Sequence, residues 1–89
     1  MKKKINKITM KDVTKEQYKQ LKLYAAAMFK RSLAMCANKS TARYDAQEGR
    51  AMAALEKSGF DLNKMALAMY DLGIEKEAYE KITGKRWRG

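Results

Sequence analysis

The chain begins Met-Lys-Lys-Lys and ends Lys-Arg-Trp-Arg-Gly, and its chemically active side chains are overwhelmingly cationic. Lys2, Lys3, Lys4, Lys7 and Lys11 fall within the first thirteen residues. Lys15, Lys19, Lys22, Lys30 and Arg31 follow on a stretch with helical spacing, and Lys85, Arg86 and Arg88 surround the single Trp87 near the other end. Ammonium and guanidinium groups in such numbers hold polyanions, whether phosphates or carboxylates. Their distribution is uneven. Residues 1–39 carry eleven Lys and Arg against Asp12 and Glu16, a net charge of +9, whereas residues 40–89 carry nine against eight carboxylates, a net charge of +1. The tail offers a second chemistry, since an indole between Arg86 and Arg88 can stack on an unpaired base while the guanidiniums hold phosphates. The alternative for Trp87 is to fold back and complete a hydrophobic core.

Other chemistries are excluded by what is missing. The sequence has no His and a single Cys36, so zinc sites of the usual ligand sets and an internal disulfide are out of reach within one chain. Histidine-based acid–base or triad catalysis is excluded for the same reason. No enzyme activity, cofactor or metal is expected. The longest uncharged runs, Leu23 to Phe29 and Ser32 to Asn38, fall far short of the roughly 20 residues of a membrane span. No apolar signal-peptide core follows the first lysines, and an intracellular, soluble, cytoplasmic protein is expected. A basic amphipathic helix can lie on an anionic membrane. The Ala- and Met-rich apolar face here lacks the aromatic and leucine wedge for that, so no membrane partner is expected.

The elements that must position these cations are helical. Proline is absent and Gly occurs five times in 89 residues, which favours helices with short connections in a single domain. Thr14 as N-cap with Gln17 three residues on makes a capping box opening a long helix over Lys15 to Asn38. Tyr18, Leu21, Tyr24, Ala25, Met28, Ser32, Met35 and Cys36 form its inner face, with Cys36 read as a small core residue. Leu23, Ala27 and Ala34 form a second, weaker stripe. A helix apolar on two sides is buried on two sides, and this stripe is expected to contact a second copy of the chain.

A second helix is expected over Ala42 to Lys57, capped by Ser40 or Thr41, with Tyr44, Gln47, Ala51, Ala54 and Leu55 inward. Gly49 in its interior costs about 1 kcal/mol relative to Ala, so it is expected to permit a close helix crossing. Gly59 suits the left-handed position after this helix, with Phe60 folding back on Leu55. Asp61 caps a third helix over Leu62 to Leu72, with Leu62, Met65, Ala66, Met69 and Leu72 inward. Gly73 closes it, and a short fourth helix over Glu75 to Thr83 buries Ala78, Tyr79 and Ile82. Before the first helix, Ile8, Met10 and Val13 suggest a short extended piece.

Two resemblances bear on DNA. The third and fourth helices, joined through Leu72-Gly73-Ile74, are similar to a helix-turn-helix unit, with Ala68, Leu72, Gly73, Ile74 and Ile82 at matching positions. The departures are Met69 at a position that favours a small residue and an acidic leading end, Glu75, Glu77 and Glu80, where a major-groove helix needs donors and positive charge. The start of the chain looks like a ribbon-helix-helix protein, with Ile8-Thr9-Met10 as strand and Val13 to Ala25 as first helix. That resemblance implies Lys7, Thr9 and Lys11 as reading residues. It departs where Ala26, Ala27, Met28 and Phe29 continue the helix past the turn that family needs.

The expectation is an all-α bundle of three main helices plus a short fourth, residues 14–84, between a basic N-terminal arm (1–13) and a basic C-terminal tail (85–89). Its expected role is non-enzymatic association with DNA or RNA through the phosphate backbone, without strong sequence specificity. The rival is a protein-binding module, such as a phage-type accessory or inhibitor protein, whose basic face grips an acidic protein.

Overall fold

The computed structural model describes residues 7–88, and all regular structure within them is helical. Four α-helices follow one another: α1 (Lys15–Cys36), α2 (Ala42–Lys57), α3 (Met65–Asp71) and α4 (Ile74–Thr83). Single 3₁₀ turns at Met10–Asp12 and Leu62–Lys64 lead into α1 and α3. Both α2 and α4 pack on α1, with no substantial interface between them, and α3 bridges α1 and α4. Lys2, Lys3 and Lys4 of the expected arm lie outside the described residues.

Local chemistry sets most boundaries. The Thr14 hydroxyl accepts the Gln17 backbone N–H at 3.0 Å, and Gln17 Oε1 accepts the Thr14 N–H at 3.0 Å, closing the capping box of α1. The same Gln17 amide donates to Ser58 Oγ at 3.0 Å, tying the start of α1 to the end of α2. Gln17 is thereby the one buried polar side chain among the described residues, and its hydrogen-bonding groups are satisfied. α1 stops at Cys36, two residues before the expected Asn38. Asn38 takes the left-handed conformation (φ 61°), with its N–H donating to Met35 O and the Lys39 N–H to Ala34 O, a Schellman closure. α2 ends in the same way at Gly59 (φ 89°), where the Phe60 N–H donates to Leu55 O at 3.0 Å. At the start of α2 Thr41 occupies the N-cap, but it is the Ser40 hydroxyl that accepts the Ala42 N–H, while the Thr41 hydroxyl donates to Asp45.

The core is small. Leu21, Leu55 and Ile74 are fully buried and are surrounded by Ala25, Met65, Ala68 and Met69. Each of the three large side chains contributes about 1.5–3 kcal/mol by leaving water. Ala68 replaces the expected Ala66, which is exposed. The reason is the 3₁₀ turn. Three residues per turn stack Leu62 directly before Met65, so the helical phase restarts at Met65 and runs through Ala68, Met69 and Leu72.

Both faces of α1 are used within the chain. Ala27 and Ala34 are 1% and 8% exposed. Arg31, on the same face between them, bonds Glu48 of α2, so this stripe is the seam against α2. That corrects the self-association expectation for Ala27 and Ala34, whose side chains are already covered; Leu23 alone of that set remains half exposed. The close approach is made by Ala27, Ala34 and Ala51, and not by Gly49, which faces solvent with no atom within 4 Å of the Cβ it lacks. The far end of the inner face is uncovered. α4 spans about 15 Å against about 33 Å for α1, so Ser32, Met35 and Cys36 are exposed and Cys36 is not a core residue.

The described segments before α1 and after α4 are docked. Ile8 and Val13 pack against the core cluster, and the Ile8 N–H donates to Asp71 Oδ2 at 2.9 Å. The segment expected as a strand is a 3₁₀ turn, closed by Thr9 and Asp12. With no strand to pair and α1 unbroken for 22 residues, the ribbon-helix-helix arrangement is absent among the described residues. Trp87 folds back onto α4, edge-on to Tyr79 at 5.3 Å, and Tyr79 in turn meets Phe29 of α1 at 5.5 Å. The Trp87 N–H donates to Glu80 Oε2 at 2.9 Å. α4 is embedded by these contacts: its exposed residues are Lys76, Glu77 and Lys81. It does not project as the recognition helix that a helix-turn-helix reading requires. Among the described residues no helix is long and apolar enough to cross a membrane.

Candidate functional site

Because α2 and α4 flank α1 without closing on each other, a groove of about 660 Å³ opens between the three helices. α1 lines it with Lys22, Ala26 and Lys30, successive positions four apart on one stripe. α2 contributes Arg43, Tyr44 and Gln47 from its first two turns. α4 contributes Ile74, Ala78 and Ile82 to the floor and Glu77 and Lys81 to the edge. A second cleft of about 450 Å³, between α1 and α2, shares Ala26, Lys30 and Gln47 with the first and adds Leu23 and Arg50. The combined groove carries Lys22, Lys30, Arg43, Arg50 and Lys81 against the single carboxylate of Glu77. Lys22 also lies 5.5 Å from the centre of the Tyr18 ring, a cation–π contact that holds its ammonium at the groove margin.

The two signs of charge do different work in this molecule. Seven of the ten carboxylates are engaged in hydrogen bonds of the fold. Asp12 closes the first 3₁₀ turn, Asp61 caps the second, Asp71 anchors Ile8 and Glu80 anchors Trp87. Asp45 and Glu48 receive Thr41 and Arg31, and Glu16 receives the Gln20 amide. Among the described Lys and Arg residues, by contrast, only Arg31 forms an ion pair, 3.0 Å from Glu48 and 3.5 Å from Asp45. The hydrogen bond and charge of Glu48 hold the Arg31 guanidinium above its ordinary pKa. Arg31 is therefore a tie between α1 and α2 and not a free contact for a partner, which corrects its place among the expected binding residues.

The other expected cations divide by location. Lys22 and Lys30 meet in the groove. Lys11, Lys15 and Lys19 are exposed and line none of the clefts described, so they form a solvated margin. Lys7 borders a separate depression with Lys64 in which Asp12 and Asp61 balance the charge. Lys85, Arg86 and Arg88 border a cleft with Tyr79 and Trp87. Arg43, Arg50 and Lys81 were not singled out by the sequence. They sit on three different turns of two helices in the charge-balanced half of the chain, and only the packing of α2 and α4 on α1 brings them to the lysines of α1. No family model, curated protein or solved structure matches this chain.

Proposed function

We propose that this protein associates with nucleic acid through its phosphate backbone, and that the groove between α1, α2 and α4 is the centre of the contact. The observation that carries this reading is the division of charge: seven of the ten carboxylates are taken up by hydrogen bonds of the fold, while among the described residues the cations of the groove and of the α1 margin form no ion pair. A surface selected for solubility alone intersperses both signs. A set of uncompensated cations repels itself and is stabilised when a polyanion supplies the missing charge, releasing counterions as it does so. Base-specific reading has no support in this arrangement, since α4 presents only Lys76, Glu77 and Lys81 outward.

The test is binding of labelled DNA and RNA, single-stranded and duplex, across roughly 50 to 200 mM salt. Four phosphate contacts on a single strand give a slope near −2.8 in log K against log salt, which is about a fifty-fold loss of affinity over that range. Failure to bind any of these nucleic acids at the lowest salt refutes the proposal.

A further inference from the structure

The shape and lining of the groove bear on which nucleic acid it takes, and we infer that it is built for an unpaired strand of about four nucleotides. This rests on the phosphate-binding reading above. The cations stand on different walls of one concavity, Lys22 and Lys30 on α1, Arg43 on α2 and Lys81 on α4. Between them the floor is apolar, made of the partly exposed Ala26, Ala78 and Ile82 over the buried Ile74, with the half-buried ring of Tyr44 at one side. A duplex is a convex cylinder with its base faces stacked inside, and it offers protein its phosphates and the edges of its pairs. Against this groove it would touch the rims and leave the apolar floor in water. An unpaired strand offers both chemistries at once, a phosphate and an apolar ring face for each nucleotide, and aromatic side chains in basic grooves are what such strands stack on. Eight residues of helix separate Lys22 from Lys30, about 12 Å, which spans between three and four steps of a stacked strand at about 3.4 Å each and so about four phosphates.

The experiment compares a twelve-nucleotide oligo(dT) and oligo(U) with a twelve-base-pair mixed duplex at 50 mM salt, using the whole protein. The single strands are expected to bind at least ten-fold more tightly than the duplex. Replacing Lys22, Lys30, Arg43 and Lys81 together by Gln should flatten the single-strand salt slope by about 2.8, whereas Lys15→Gln with Lys19→Gln should leave more than half of it. Tyr44→Leu should weaken single-strand binding by about five- to a hundred-fold without changing duplex binding. Tyr44→Phe keeps the ring and should keep the affinity, which separates stacking from any loss of folding, with circular dichroism checking each variant. Duplex binding equal to or tighter than single-strand binding overturns the inference while leaving the general phosphate reading intact. Single-strand binding that survives the four groove substitutions overturns it as well. If no oligonucleotide binds but a helical peptide rich in Glu and Leu does, both readings fall and the groove belongs to an acidic protein partner.

Discussion

Two glycines with equally empty surroundings should respond in opposite directions to the same substitution. Gly49 lies at the eighth of sixteen positions in α2, with a negative φ, and a Cβ built there meets nothing within 4 Å. Gly73 lies between α3 and α4 at φ 74°, and a Cβ there also meets nothing within 4 Å. Sterics with neighbours are therefore equal, and backbone conformation alone decides. At Gly49 alanine removes the entropy cost of glycine in a helix interior and stabilises by about 0.8–1.0 kcal/mol. At Gly73 alanine is forced into the left-handed region, which costs about 1–2 kcal/mol. For a domain of this size about 1 kcal/mol moves Tm by roughly 4–8 °C, so Gly49→Ala should raise Tm by about that much and Gly73→Ala should lower it by at least as much. Scanning calorimetry and urea titration read both, with an unchanged urea m-value showing that the denatured state has not altered. A Gly49→Ala variant no more stable than the parent would refute the reasoning, because it would mean that something rests on that face of α2.

Three further outcomes follow from the packing. Ala27→Leu adds three carbons to the closed α1–α2 seam and should cost about 1–3 kcal/mol by overpacking, whereas Leu23→Ala, at a half-exposed site, should fall within about 0.5 kcal/mol of the parent; equal effects in urea unfolding would deny that α2 covers Ala27. Gln17→Ala removes both the reciprocal half of the α1 capping box and the bond to Ser58, and should cost about 1–2 kcal/mol in the same assay; a loss no larger than for Gln20→Ala would show that the tie is idle. Cys36 is exposed, so it should react stoichiometrically with a thiol reagent in the native protein, and a requirement for denaturant would place it inside.

What could be read from the chain and what could not divides along the range of the interactions. Thr14 with Gln17, Gly59 with Phe60, and Gly73 are decided within about five residues by capping and left-handed geometry, and both ends of α2 follow from such local rules. Asn38 belongs to the same class but carries a side chain, so its willingness to adopt φ 61° is not visible in composition as a glycine's is. The inner face of α3 was misphased at Ala66 and Ala68 because three residues of 3₁₀ turn advance the chain differently from an α-turn, and nothing in Leu62-Asn63-Lys64 announces that. On α1 the second stripe was visible, but what covers it is a property of α2. The same holds for the site: Lys22 and Lys30 are spaced for one face, while Arg43, Tyr44 and Lys81 reach them only through tertiary packing. Arg31 shows the converse, a cation whose partners Asp45 and Glu48 lie across a turn and take it out of the available set.

The allotment of carboxylates to the fold and lysines to solvent also sets how freely this chain can change. Replacing Asp12, Asp61, Asp71 or Glu80 removes the acceptor of a backbone N–H, a loss felt in folding. Replacing Lys15, Lys19 or Lys30 breaks no side-chain hydrogen bond or ion pair among the described residues, and substitutions at such exposed positions fall within about 0.5 kcal/mol. The hydrogen bonds of the fold and the unpaired charge are thus carried by residues of opposite sign with almost no overlap among the described residues, Arg31 being the exception. On the proposed phosphate-binding function, successive lysine changes would raise or lower the grip on a polyanion one contact at a time, over a scaffold that does not register them.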